Sequence, residues 1–144
     1  MRIDHILQQK GSEVATIGSD RSVADAADEL ARLGVGTLVV SDDERHIVGI
    51  LSERDLTRAL ARHGAAVLGL AVADLMTPDV HTCVPEDSVD ELAAAMTERR
   101  IRHVPVLVDD ELAGIVSIGD VVKNRLDELE AEAQTLHDYI EAGR

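Results

Sequence analysis

A chain of 144 residues with 45% apolar and 29% charged side chains is built to bury a core, not to stay disordered. Its net charge of −14 argues against nucleic acid as a partner, because affinity for a phosphate backbone comes from clustered Lys and Arg. Cys83 is the single cysteine, which excludes an intrachain disulfide, and no apolar run reaches the roughly 20 residues of a membrane span.

The opening MRIDHILQQKG has neither a long apolar stretch nor a cleavage-like site. A cytoplasmic protein without a membrane partner is therefore expected. Tyr139 is the only aromatic residue, so the core has to come from Val, Leu, Ile, Ala and Met. After the lead-in IDHIL a short strand is expected at residues 14–17. A helix follows, opened by Ser22 with Asp25 as a capping box. Its apolar positions Val23, Ala26, Ala27, Leu30 and Leu33 fall at helical spacing. The segments GTLVV and HIVGIL read as two strands joined by the acidic turn SDDER, and a second helix begins at Ser52.

The chain then writes the same order again. The lead-in VADLM precedes a strand at residues 80–84 and a helix opened by Ser88 with Glu91, carrying Val89, Leu92, Ala93 and Met96 on one face. The strands HVPVLV and LAGIVS flank the turn DDE, and a helix starts at Ser117. At an offset of 66, Thr16, Ser22, Val23, Ala27 and Val40 meet Thr82, Ser88, Val89, Ala93 and Val106. One residue is then lost, and Gly49, Ser52 and Asp55 of GILSERD meet Gly114, Ser117 and Asp120 of GIVSIGD. The division is residues 1–66, 67–126 and an amphipathic C-terminal helix over 127–144. In that helix Leu126, Leu129, Ala133, Leu136 and Ile140 advance by 3, 4, 3 and 4, a seam expected to make a dimer contact. One unit of about 60 residues has too little core to stand comfortably alone, so the two should share one.

This ordered set, together with DLMTPDVHTCVPEDSV and RIRHVPVLVDD, resembles a tandem pair of CBS domains, the Bateman module of the stand-alone bacterial type. The resemblance implies an α+β fold of two β-α-β-β-α repeats packed sheet to sheet with pseudo-twofold symmetry. It also implies clefts that bind adenosyl ligands (AMP, ADP, ATP, NAD or S-adenosylmethionine), further dimerisation, and regulation of an unknown partner protein rather than catalysis.

Carried over by position, Ser52 and Asp55 share one cleft with Thr82, Ile101, Arg102 and His103, just before Pro105. Ser117 and Asp120 face Thr16, Val35, Gly36 and Thr37 in the other, with Ile50 or Ile115 against adenine. The chemistry suits this. A first-turn carboxylate accepts bonds from two vicinal hydroxyls, and a helix N-terminus attracts phosphate. Arg54, Arg102 and His103, with Arg99 and Arg100 nearby, make the Asp55 cleft the cationic one; Gly119 stands where Arg54 does. Polyphosphate is expected at Asp55, and a less charged ligand or none at Asp120.

Other readings of these residues are blander. Ser-x-x-Asp is also a plain capping box, and Asp42, Asp43, Asp109 and Asp110 suit turns. His81, Cys83 and His103 are too few for a closed metal site, and no nucleophile–base set appears. The alternative to a nucleotide sensor is a dimeric scaffold with vestigial clefts that recruits a partner through its C-terminal helix.

Overall fold

The computed structural model describes residues 1–143; Arg144, the last residue of the expected C-terminal helix, lies outside them. The elements fall into two matching sets, six in the first and five in the second. The first set is α1 (Ile3–Lys10), β1 (Thr16–Ile17), α2 (Val23–Leu33), β2 (Thr37–Val40) with β3 (Gly49–Ser52), and α3 (Glu53–His63). A 3₁₀ segment over Gly64–Gly69 leads to the second: α4 (Val72–Leu75), α5 (Val89–Arg99), β4 (His103–Val108), β5 (Glu111–Ser117) and α6 (Ile118–Ala142).

In the first repeat β1 pairs parallel with β2, and β2 pairs antiparallel with β3. The second repeat keeps the β4–β5 ladder, but its first strand shrinks to a bridge between Cys83 and Val106. The strand expected at residues 80–84 is thus a single residue in length, held by Cys83 N–H donating to Pro105 O and Leu107 N–H donating to Cys83 O. The β4–β5 turn is tight, with Asp109 and Asp110 both at positive φ (51° and 63°), as a two-residue hairpin requires. The corresponding connection in the first repeat is a longer loop over residues 41–48. There Asp43 collects the N–H groups of Arg45 and His46, and the carbonyl of Arg45 reaches across to Leu112 N–H at 2.7 Å.

Each sheet buries one face against its helices. Leu38, Val40 and Leu51 join Ile17, Ala26 and Leu30 in the first core. Val104, Val106 and Val116 join Val89, Leu92, Met96 and Val121 in the second. Because side chains alternate along a strand, Thr37 and His103 point to the opposite faces. These faces meet: Thr37 Oγ1 lies 2.9 Å from His103 Nδ1. The two residues occupy matching positions in the duplicated sequence, so this bond marks the pseudo-twofold axis.

The lead-ins are exchanged between repeats. Ile3 and Ile6 of α1 are buried in the second repeat's core, while Val72 of α4 is buried in the first, with Leu75 and Met76 packed against it. Backbone bonds secure both swaps in the same way. Ile3 N–H donates to Asp87 O and Val89 N–H to Met1 O; Val72 N–H donates to Arg21 O and Val23 N–H to Leu70 O.

The exchange explains the paired glycines. A Cβ at Gly49 would stand 2.5 Å from Met76 Sδ and 3.1 Å from the backbone oxygen of Thr77; at Gly114 it would stand 2.7 Å from Leu7 Cδ2. Both glycines admit a side chain from the other repeat's lead-in. Leu7 can swing away, whereas the Thr77 backbone cannot. Gly49→Ala is therefore expected to cost about 1–3 kcal/mol of stability, and Gly114→Ala distinctly less, read from urea midpoints of the two variants.

Candidate ligand cleft

The Gly-x-x-Ser-x-x-Asp phrase runs off a strand into a helix. At Ser52 the side chain accepts from Asp55 N–H (3.3 Å), and Asp55 Oδ2 accepts from Ser52 N–H (2.8 Å) and Ser52 Oγ (3.0 Å). Ser117 and Asp120 form the same reciprocal box, with Asp120 Oδ2 accepting from Ser117 N–H at 2.8 Å. Each carboxylate is thereby fixed by one oxygen at the first turn of a helix, and capping and ligand readings coexist.

A cavity of about 690 Å³ opens beside Asp55, within the size range of small-molecule sites. Of the residues expected there, it brings together Ile50, Ser52, Arg54, Asp55, Ile101, Arg102 and His103. Gly36 and Thr37, expected opposite Asp120, line this same cavity because they sit at the axis beside His103. Thr82 and Pro105 do not line it: Pro105 is buried within β4, its carbonyl taken by Cys83 N–H, and Thr77, Asp79, Val80 and His81 form the wall instead.

Charge concentrates here. Arg54 and Arg58 come from the start of α3, and Arg99, Arg100 and Arg102 from the end of α5 and the approach to β4. Among the described residues none of these five makes an ion pair, although Arg2, Arg21, Arg32, Arg45 and Arg125 all do. In a chain with 28 carboxylate side chains, leaving five neighbouring guanidiniums unpaired sets up a local positive field. Arg100 also holds a left-handed backbone (φ 56°, ψ 42°) where the first repeat has Gly34 (φ 65°, ψ 33°). A non-glycine residue there costs about 1 kcal/mol, and such strain gathers at functional sites.

The Asp120 side differs. Lys10 Nζ bonds Asp120 Oδ2 at 2.6 Å and the carbonyl of Ile115 at 2.9 Å. Thr16 is paired with Val39 in the sheet, and Val35 packs on the first core. Burial disfavours the ionised Asp120, but bonds from Lys10 and Ser117 outweigh it and hold the carboxyl below the usual carboxylate range. Burial pushes the His103 imidazole down, helped by Lys10 and Arg102 and opposed by Asp120 and Glu53.

Sequence reasoning missed Lys10, Arg58 and the Thr77–His81 wall. Arg58 was within reach, one helical turn after Arg54. Lys10 was hidden by its distance in sequence from Asp120. Cys83 is buried, its thiol pushed up to about 12 by burial and the charge of Asp87, so it is not a thiolate at neutral pH. Among the described residues no three His, Cys, Asp or Glu side chains are grouped to hold a metal ion, and no helix is long and apolar enough to cross a membrane.

The profile of the CBS domain family matches residues 11–62 and 72–127, and the chain belongs to that family as a tandem pair. It is similar to a CBS-domain-containing protein from Agrobacterium tumefaciens, with 43% identity, 87% of this chain and 99% of that one covered, and a TM-score of 0.84. It is also similar to the CBS domain pair of protein MJ0100, solved in complex with 5′-methylthioadenosine and S-adenosyl-L-methionine (26% identity, 89% and 98% covered, TM-score 0.78). A mitochondrial CBS domain-containing protein of Arabidopsis thaliana is 37% identical over 129 residues; the match takes in 87% of this chain and 63% of that relative's length.

His103 and Asp120 both contribute to the acid limb of stability, alongside the exposed Asp25 and Asp43, whose hydrogen bonds also hold them below the usual carboxylate range. An ordinary imidazole titrates near pH 6.5 and an ordinary Asp near 3.9. Below about pH 6.5 the unfolded chain binds a proton that folded His103 resists, so stability falls as pH drops. The Asp120 contribution is complete above about pH 4 and is lost as pH falls towards the folded value. Urea midpoints between pH 8 and 3 should decline in these two stages. His103→Gln should flatten the first stage, and Asp120→Asn should reduce the second, leaving the share of Asp25 and Asp43.

Proposed function

We propose that the chain is a non-catalytic regulatory module that binds an adenine nucleotide (AMP, ADP, ATP or NAD) beside Asp55 and reports its occupancy to a partner protein. The observation that carries this is the set of five unpaired arginines around a pre-positioned carboxylate. Asp55 keeps one oxygen for the two ribose hydroxyls, since its Oδ2 is already held by Ser52. Ile50 and Ile101 supply apolar walls for the adenine, and Arg54, Arg58, Arg99, Arg100 and Arg102 take phosphate oxygens. Adenosyl compounds bound to the MJ0100 pair support the ligand class, and the arginines favour its phosphorylated members. A cytoplasmic homodimer is part of this reading.

Titration calorimetry tests it. Asp55→Ala should weaken AMP and ATP alike, by about tenfold to a hundredfold, the worth of a bond to a charged group. Arg102→Ala should weaken ATP well beyond adenosine. Absence of saturable binding at millimolar nucleotide would sink the proposal and leave the scaffold reading.

One feature favours a scaffolding role as well. Beyond Asn124, helix α6 carries Leu126, Leu129, Leu136, Tyr139 and Ile140 exposed along its length. Ending the chain after Leu126 should turn the dimer into a monomer by light scattering; an unchanged dimer would remove that role from the helix.

A further inference from the structure

The two clefts differ most in what the exchanged lead-ins bring to them. Aligned on Ile3 and Val72, the lead-ins place Leu7 opposite Met76, and these are the side chains packed at Gly114 and Gly49. Three residues further on, Lys10 corresponds to Asp79. In the second lead-in Pro78 cannot continue a helix. Helix α4 stops at Leu75, and Thr77 pairs in extended form with Ile50, its N–H donating to the Ile50 carbonyl at 2.9 Å. The first lead-in has Gln9 at that position, so α1 runs on to Lys10. The Ile115 carbonyl, matching that of Ile50, accepts from Lys10 Nζ instead.

We propose that Lys10 is a built-in occupant of the Asp120 cleft, its ammonium bound to the capped oxygen Oδ2 and lying beside the oxygen that a ligand's hydroxyl groups would use, so that the chain takes one nucleotide and not two. This rests on the ligand reading of the Asp55 cavity. Asp120 has the same capping geometry as Asp55, so its other oxygen is open to approaching hydroxyls once the neighbouring amine leaves. The Lys10 and Asp120 side chains are only 31% and 20% exposed, so the pair is shielded better than the surface ion pairs elsewhere on the molecule. A ligand entering this cleft has to break the Lys10 bonds to both Asp120 and Ile115. The five arginines line the first cavity, so a lightly charged adenosyl compound is the class that fits here once Lys10 is removed.

Equilibrium dialysis with AMP counts the sites. The intact chain should bind one AMP, Lys10→Ala two, and the double variant Asp55→Ala/Lys10→Ala one. A Lys10→Ala chain with the same count as the parent overturns the inference. A parent that binds none while Lys10→Ala binds one refutes the Asp55 reading and upholds this one. A second readout needs no ligand. Lys10 and Lys123 are the only lysines, and Lys123 is 73% exposed. Brief labelling with acetic anhydride, read by mass spectrometry, should modify Lys123 several-fold faster than Lys10. Equal rates would overturn the occupancy. Asp120→Asn should bring the Lys10 rate up towards that of Lys123.

Discussion

Each half of this molecule is finished by a piece of the other. Ile3 and Ile6 are buried against Val104, Val106 and Val116, more than 90 residues away in sequence, and Val72 is buried against Leu38 and Leu51. A repeat of this size buries too small a share of its surface to be secure by itself. Full burial of an Ile or Val is worth about 1.5–3 kcal/mol, so the borrowed side chains are a sizeable part of each core. The swap also ties the two repeats to each other through the packing and backbone bonds of both lead-ins. The Thr37–His103 bond closes the middle. The shape of the Asp55 cavity depends on all three ties.

On that symmetric frame the chemistry is not symmetric. Both capping boxes present a carboxylate in the same pose, yet one faces arginines that make no ion pair among the described residues and the other faces Lys10. The difference begins with backbone: a proline ends one lead-in helix and a glutamine lets the other continue. Charge then follows position. His103 lies between the two sites and responds electrostatically to Lys10 and Asp120 on one side and to Arg102 and Glu53 on the other.

Much of this was readable from residue order. The periodicities of α2 and α5, the paired strands and the twin capping boxes are local features, set by neighbours within a few positions. The CBS pair follows from their repetition. Non-local features were less legible. Ile3, Ile6 and Leu7 announce a helix with something to bury, but helical spacing does not say which sheet receives it. The loop over residues 41–48 outgrew a hairpin turn because Asp43 folds it locally and Arg45 anchors it to the other repeat. Ser22 and Asp25 made only half of the expected box, since the carboxylate of Asp25 turns to Arg21 at 3.0 Å. Gly36 and Thr37 joined the Asp55 cavity because proximity to the axis overrides the pairing of phrases with strands.

Helix α6 runs unbroken from the Ser117 cap to Ala142, 25 residues with their first turn at Asp120. At 1.5 Å per residue it is about 37 Å long, and only its first two turns hold buried residues, Val121 and Asn124. It is thus a rigid arm anchored at its start, beside Asp120, and projecting from the second repeat. A rotation of about 5° at that anchor sweeps the far end through roughly 3 Å over that length, enough to seat or unseat one side chain in a neighbouring surface. Tyr139 and Ile140 lie exposed near that far end.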